Sequence, residues 1–432
     1  MRGSGFFRGD PSQIDFRARH SCLYRRRFFL CFFLYLVLYH VTVVNRFSLW
    51  SLNDVTWSLY CVDFSYGFAS KLLPGAVYNL LAGAHASRAS ATAFATVFVL
   101  AVFAGIALLL ERFLLRMPPE HRGAALLLSV FCLSGAYTFA IYTRWVGMLD
   151  TWWLLTTLLF FVCLEHRRLR FLIPALFALA LMIHFSAVVF FLTVYSILLL
   201  YRISVSESEE KRERRGLWAV FAASLAVTAF MFFFLILYEA KTLCSMEDFH
   251  EELSARGNDY YFYFDYAFFR VWSGESFIPD AVREMEPSLI KFLYLFRYQV
   301  GLCYGLLELE PVTGTVFTVG GTLVLLPAVL FFSGFHWRRL RQKGNGLRRF
   351  CAFLMLVQFP FVYVLGLLFA VSVDMTRYLS HAFLGMLVCL FAVLYYEAQQ
   401  RDLFFERLRS LERSLPVKLY FLAYAAMALM PC

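Results

Sequence analysis

The sequence predicts an all-α polytopic integral membrane protein of about 10–11 transmembrane helices, N-terminus cytoplasmic, with interfacial helices in two extracytoplasmic loops. Three observations carry that reading. Of the 432 residues, 61% are hydrophobic and 16% charged, an apolar excess that no soluble core of this size buries, so a bilayer must solvate it. The apolar residues fall in runs of spanning length. The basic residues collect between alternate runs.

A helix needs about 20 mostly apolar residues to cross about 30 Å of hydrocarbon. Segments 27–45, 91–110, 123–143, 146–164, 171–184, 186–201, 217–238, 312–334, 350–372 and 378–396 meet or approach that length, and 417–431 makes a short eleventh. The run from Phe171 to Tyr201 is too long for one span and short for two. His184-Phe185-Ser186 interrupts it where a tight turn would fall, so it reads as a helical hairpin. The 10 cysteines are scattered, several inside apolar runs (Cys31, Cys132, Cys163, Cys351, Cys389) and without metal-ligand spacing. They read as small apolar residues, and no metal or cofactor is expected.

Alternating the spans puts the N-terminus and segments 111–122, 165–170, 202–216, 335–349 and 397–418 on one side. These hold 29 of the 40 Lys and Arg against 13 acidic residues, a net +16; the other side keeps 11 basic and 17 acidic residues, a net −6. Basic residues resist translocation, so the first side is cytoplasmic. The overall charge of +10 therefore reflects topology and does not point to a nucleic-acid partner. The domain reading is a basic N-terminus at 1–26 followed by one transmembrane domain at 27–431. Arg25-Arg26-Arg27 reads as an anchor before the first span, with no small-residue cleavage site after it. Ser204–Gly216 reads as a solvated cytoplasmic linker without chemistry. Two outer loops, about 45–90 and 239–311, are long enough to carry function. Runs such as Tyr260-Tyr261-Phe262-Tyr263-Phe264 suggest that the second lies on the membrane.

Ionisable groups near membrane depth are expensive and are functional candidates when they face a cavity. They are Asp63, Lys71, Arg144, Asp150, His184, Asp374, Arg377 and His381, all assigned by the topology to the translocated surface. Asp63 opens a Gly/Pro-punctuated stretch and suits either a general base or a helix N-cap. Arg144 offers a fork for phosphate oxygens, or a salt bridge to Asp150 or Asp374. His184 at the hairpin tip suits a proton acceptor, a donor to phosphate or a hydrogen-bonded turn residue. Asp374 and Arg377 straddle the start of a span with His381 one turn further, and Asp374 also reads as a plain N-cap. Arginines and a histidine converging on one face suggest an anion, and a lipid-borne diphosphate is the anion available at a membrane surface.

The stretch from Arg144 through Phe191 resembles bacterial polysaccharide polymerases of the EpsG and Wzy type, within the GT-C class of multi-span glycosyltransferases. It has an arginine opening a span (T-R-W-V-G-M-L-D), a basic turn (E-H-R-R-L-R) and an apolar hairpin with H-F-S-A at its tip. Arg144, His184, Ser186 and Ala187 match the family's R-Q-x-x-A and H-x-S-A patterns, while Trp145 replaces the Gln. The resemblance implies a bacterial cytoplasmic membrane, a polyprenyl-linked glycan as partner beside membrane lipid, and cell-envelope biosynthesis proteins as neighbours. It implies catalysis through Asp63 or His184. Substrate would be held by Arg144 and Arg377, and Lys71, Asp150, Asp374 and His381 join them as substrate-binding candidates by their depth in the membrane alone. The residues leave two alternatives open: a transporter or flippase of a lipid-linked or anionic substrate, and a non-catalytic assembly subunit.

Overall fold

The computed structural model describes residues 52–257 and 311–428 apart from short internal stretches, together with Met285 and Ile290. The predicted span 27–45, the aromatic runs of the second outer loop, Arg144 and Asp374 lie outside the described residues, and Arg377 is described only as part of its helix's backbone. The described residues are helical throughout, and six helices are long and apolar enough to cross a membrane.

Before the first described apolar helix, α1 (Asp54–Cys61) starts where Asn53 Oδ1 accepts the Thr56 N–H at 2.8 Å. α2 (Leu73–Ala82) has Pro74 in its first turn, where a missing N–H does no harm. α3 (Arg88–Arg116) opens on a capping box in which Ser87 and Ser90 each accept the other's backbone N–H. α4 (Arg122–Ser134), α5 (Leu149–Glu165) and α6 (Ile173–Ile183) follow. After the His184 turn, a π-turn at Val188–Leu192 runs into α7 (Thr193–Val205), so the hairpin expected at this point is present. The chain continues through α8 (Lys211–Thr242), α9 (Met246–Ala255), α10 (Pro311–Arg341), α11 (Gly346–Phe369) and α12 (Met375–Tyr396). α13 (Ala398–Glu412) and α14 (Leu415–Ala428) complete it.

Among the described residues, the helices long and apolar enough to span lie in α3, α7 with its π-turn, α8, α10, α11 and α12, and the described parts of α4, α5, α6 and α14 are shorter. α12 is central: 72% of its apolar window is buried, against 11% in α8, which turns its side chains outward. It packs on α7, α10, α11 and α13.

The basic ends meet in one polar layer. Arg170 Nη1 lies 2.7 Å from Glu213 Oε1, and Arg202 reaches the same oxygen at 3.5 Å. Arg339 Nη2 and the Tyr201 hydroxyl both donate to Glu397 Oε1, at 2.6 and 2.5 Å. Tyr395 and Tyr396 donate to Glu165. This corrects the reading of Ser204–Gly216 as a solvated linker. Lys211 already starts α8, because Lys, Arg and Glu favour helix, and Glu213 is enclosed by two guanidinium groups. α10 likewise continues through Arg338, Arg339 and Arg341, since basic side chains suit a helix C-terminus.

Candidate functional site

The site is built at the other end of α5, whose 17 residues rise about 25 Å from Asp150 to the basic layer. Entry into α5 is fixed by Gly147 at φ +90°, where a Cβ would meet Leu52 Cδ2 at 2.6 Å and Tyr60 at 3.2 Å. Only glycine suits that backbone without strain. The Tyr60 hydroxyl donates to the Gly147 carbonyl at 3.0 Å, so α1 holds the start of α5.

From that first turn the Asp150 side chain reaches His381 in the second turn of α12. Asp150 Oδ1 lies 2.8 Å from His381 Nε2, with 7% and 0% of the two side chains exposed. On the far side of the ring, Nδ1 is 2.9 Å from the Tyr142 hydroxyl. Tyr142 donating to Nδ1 leaves the imidazole proton on Nε2, which is close to the carboxylate but not aligned on it as a hydrogen bond. Trp153, Phe190, Phe191 and Tyr378 wall the imidazole, with ring centroids 5.3 to 6.3 Å away. The pair is buried, which strengthens the charge interactions within it.

Trp153 joins this pair to His184. Its indole stands edge-on to His381 at 5.5 Å and to His184 at 6.0 Å, and its Nε1–H donates to the Ala180 carbonyl. His184 ends α6 with an extended backbone. Its Nδ1 accepts from the Ser186 N–H at 3.1 Å and lies 2.8 Å from Ser186 Oγ. A nitrogen that accepts a backbone N–H carries no proton, so the neutral ring bears its hydrogen on Nε2. These contacts are those of a hydrogen-bonded turn residue, and they leave the Nε2–H as the ring's donor.

No family model, curated protein or solved structure matches the chain. The resemblance to polysaccharide polymerases accordingly rests on residues 144 to 191 alone, and the chemistry is read from the side chains.

Lys71 reaches the site through its backbone. It holds φ +76°, a left-handed conformation unfavourable for a residue with a side chain, and its N–H donates to the Met182 carbonyl at 3.0 Å, two residues before His184. Its side chain is buried. Asp63 is committed elsewhere, as the N-cap of a short 3₁₀ turn at Phe64–Tyr66. Its Oδ1 accepts from the Ser65 N–H and hydroxyl at 2.9 and 2.6 Å, and Oδ2 accepts from Asn79 at 2.8 Å. Partial burial pushes the acid's pKa upward, but those hydrogen bonds and the Arg256 charge outweigh it and hold the group below the usual carboxylate range. A carboxylate so stabilised is a weak base.

Of the eight candidates, Asp150, His184 and His381 are thus brought together, Lys71 is tied to the same turn, and Asp63 serves the loop. Tyr142 and Trp153 were not singled out from sequence. Trp153 lies three residues after Asp150, one helical turn on, and that spacing is the signal available for it. Tyr142 adjoins Arg144 but reaches His381 only through tertiary packing. A carboxylate, an imidazole and a phenol in series form a relay able to move a proton to or from the Tyr142 oxygen.

Proposed function

We propose that the chain is a membrane glycosyltransferase or glycan polymerase acting on a polyprenyl-(di)phosphate-linked sugar, at the end of the bundle opposite its basic loops. The supporting observation is the Asp150–His381–Tyr142 series with His184 across the Trp153 indole. In this reading Asp150 orients His381, His381 takes the proton of Tyr142, and the Tyr142 oxygen takes that of the acceptor hydroxyl as the sugar carbon is attacked. His184, with its hydrogen on Nε2, donates to a leaving phosphate oxygen, and Arg144 and Arg377 neutralise the charge that develops there. The finer topology belongs to the same proposal: ten or eleven spans, the basic end in the cytoplasm of a bacterium and the site on the outer face.

The test is transfer of labelled sugar from a polyprenyl-diphosphate donor by purified, reconstituted protein. Product from wild type and its loss in His381→Gln support the reading. No product with any lipid-linked sugar from a panel of donors would sink it.

One observation favours transport instead. Gln358 of α11 is 2% exposed, and both its amide atoms are without a hydrogen-bond partner among the described residues. It presses on Gly385, one turn below His381, where a Cβ would lie 2.3 Å from its Nε2. A polar group in mid-span is what a route across the membrane would use. Ion or lipid flux through vesicles without any sugar transfer would select that reading.

A further inference from the structure

An apolar crevice of about 180 Å³ runs between α3, α5 and α12, lined by Ile106, Leu110, Leu158, Phe161, Leu384 and Val388 among others. It is more than ten times the roughly 10–15 Å³ that admits one water. These six wall residues are all half-buried, so the crevice opens sideways to the surrounding lipid. Its upper limit is Leu154, one turn below Asp150, beneath the packed rings of Phe94, Phe98 and Trp152. Its lower limit is Glu165, which accepts the hydroxyls of Tyr395 and Tyr396 in the basic layer.

We infer that this crevice binds one acyl chain of a phospholipid drawn from the leaflet at the basic end. Leu154 to Glu165 measures about 16 Å along the helix, close to half of a hydrocarbon core of about 30 Å. One leaflet's chain fills that depth. The polar end lies at the basic layer, where Arg167 and Arg168, two and three residues after Glu165, are exposed and offer guanidinium groups to a phosphate. A polyprenyl chain entering from the candidate site would meet the aromatic lid, so the crevice is distinct from the donor's path. The inference does not depend on the glycosyl-transfer reading.

The experiment uses the full chain, purified in detergent, stripped of lipid and given dioleoyl phosphatidylglycerol, with retained lipid counted by native mass spectrometry. Wild type retains one phospholipid. Leu158→Trp, which fills the crevice, lowers retention by roughly tenfold, whereas Leu159→Trp, on the exposed neighbouring position, leaves it unchanged. Equal retention in the two variants overturns the inference, and so does displacement of the phospholipid by one equivalent of a polyprenyl phosphate. If Leu158→Trp does not fold, a phosphatidylglycerol with a diazirine at its chain end decides with wild type alone. Label on peptides containing Ile106, Leu158 or Val388 supports the site, and label confined to helices other than α3, α5 and α12 removes it.

Discussion

Nε2 of His381 lies 2.8 Å from a carboxylate oxygen of Asp150, so the second turn of α12 is fastened to the first turn of α5. Both side chains are buried, and removing His381 would leave the Asp150 carboxylate buried without its partner, at a cost of roughly 3–5 kcal/mol. A substitution that keeps the shape therefore tests chemistry better than truncation does.

Asp150→Asn is that substitution. The amide donates to Nε2, forces the imidazole proton to Nδ1 and removes the acceptor for Tyr142. The proposed relay then predicts a loss of roughly 10²–10⁴-fold in kcat, with folded protein in the membrane near the wild-type amount. Glycan formed per folded molecule is the quantity to measure, and near-normal turnover would show that the pair serves packing.

Asp63→Asn separates the cap from the base. As an N-cap, Asp63 should tolerate Asn with a change in turnover of less than about threefold, because Asn caps nearly as well; a general base would lose activity outright. Since its folded pKa is depressed, its stabilisation is present above the ordinary carboxylate range and is lost as pH falls through the lowered value. Hydrogen-exchange protection factors over residues 54–82, corrected for the intrinsic pH dependence of amide exchange, should thus stay constant from neutral pH to about 4 and fall below that in wild type, but not in the Asn variant. Equal acid sensitivity in both would detach the effect from this residue.

Gly75→Ala should destabilise the fold. A Cβ there would fall 1.8 Å from the Val62 carbonyl oxygen and 2.8 Å from that of Leu59, both backbone atoms that cannot turn aside. The expected loss is roughly 2 kcal/mol or more. Gly123→Ala, with open space around its Cβ, should match wild type. Thermal melts of the two proteins in one detergent make the comparison, and equal midpoints would deny that α2 is pressed onto the end of α1.

Arg144→Lys and Arg377→Lys keep charge while removing the two-pronged contact to phosphate oxygens. In the diphosphate-clamp proposal both lose transfer activity with yield intact. If the arginines act as counter-charges or salt-bridge partners, Lys substitutes and turnover persists.

Reporter fusions after Gly216 and Gly344 should report cytoplasm, and one near Asp259 the outside, because the basic residues divide 29 to 11 between the two sides. A reversed signal at any of them would move the candidate site to the other face.

The sequence by itself determined the class of the protein, the positions of its apolar helices, the turn at His184 and the separation of basic loops from the candidate residues. These are local quantities, summed along a stretch of chain: hydropathy over a span, charge between spans, an interruption in an apolar run. Helix ends were less legible, as α8 and α10 show, because Lys, Arg and Glu extend a helix past the hydrocarbon as readily as they form a loop. Tertiary structure alone decided that Asp150 faces His381, that Tyr142 completes the series, that Trp153 stands beside both histidines, and that Asp63 caps a turn. Lateral neighbours among membrane helices are chosen by close packing and a few buried polar contacts, since lipid and leucine are equally apolar and hydropathy does not distinguish them. The number of residues in a run says that a helix crosses, and only the fit of its surface says what it meets.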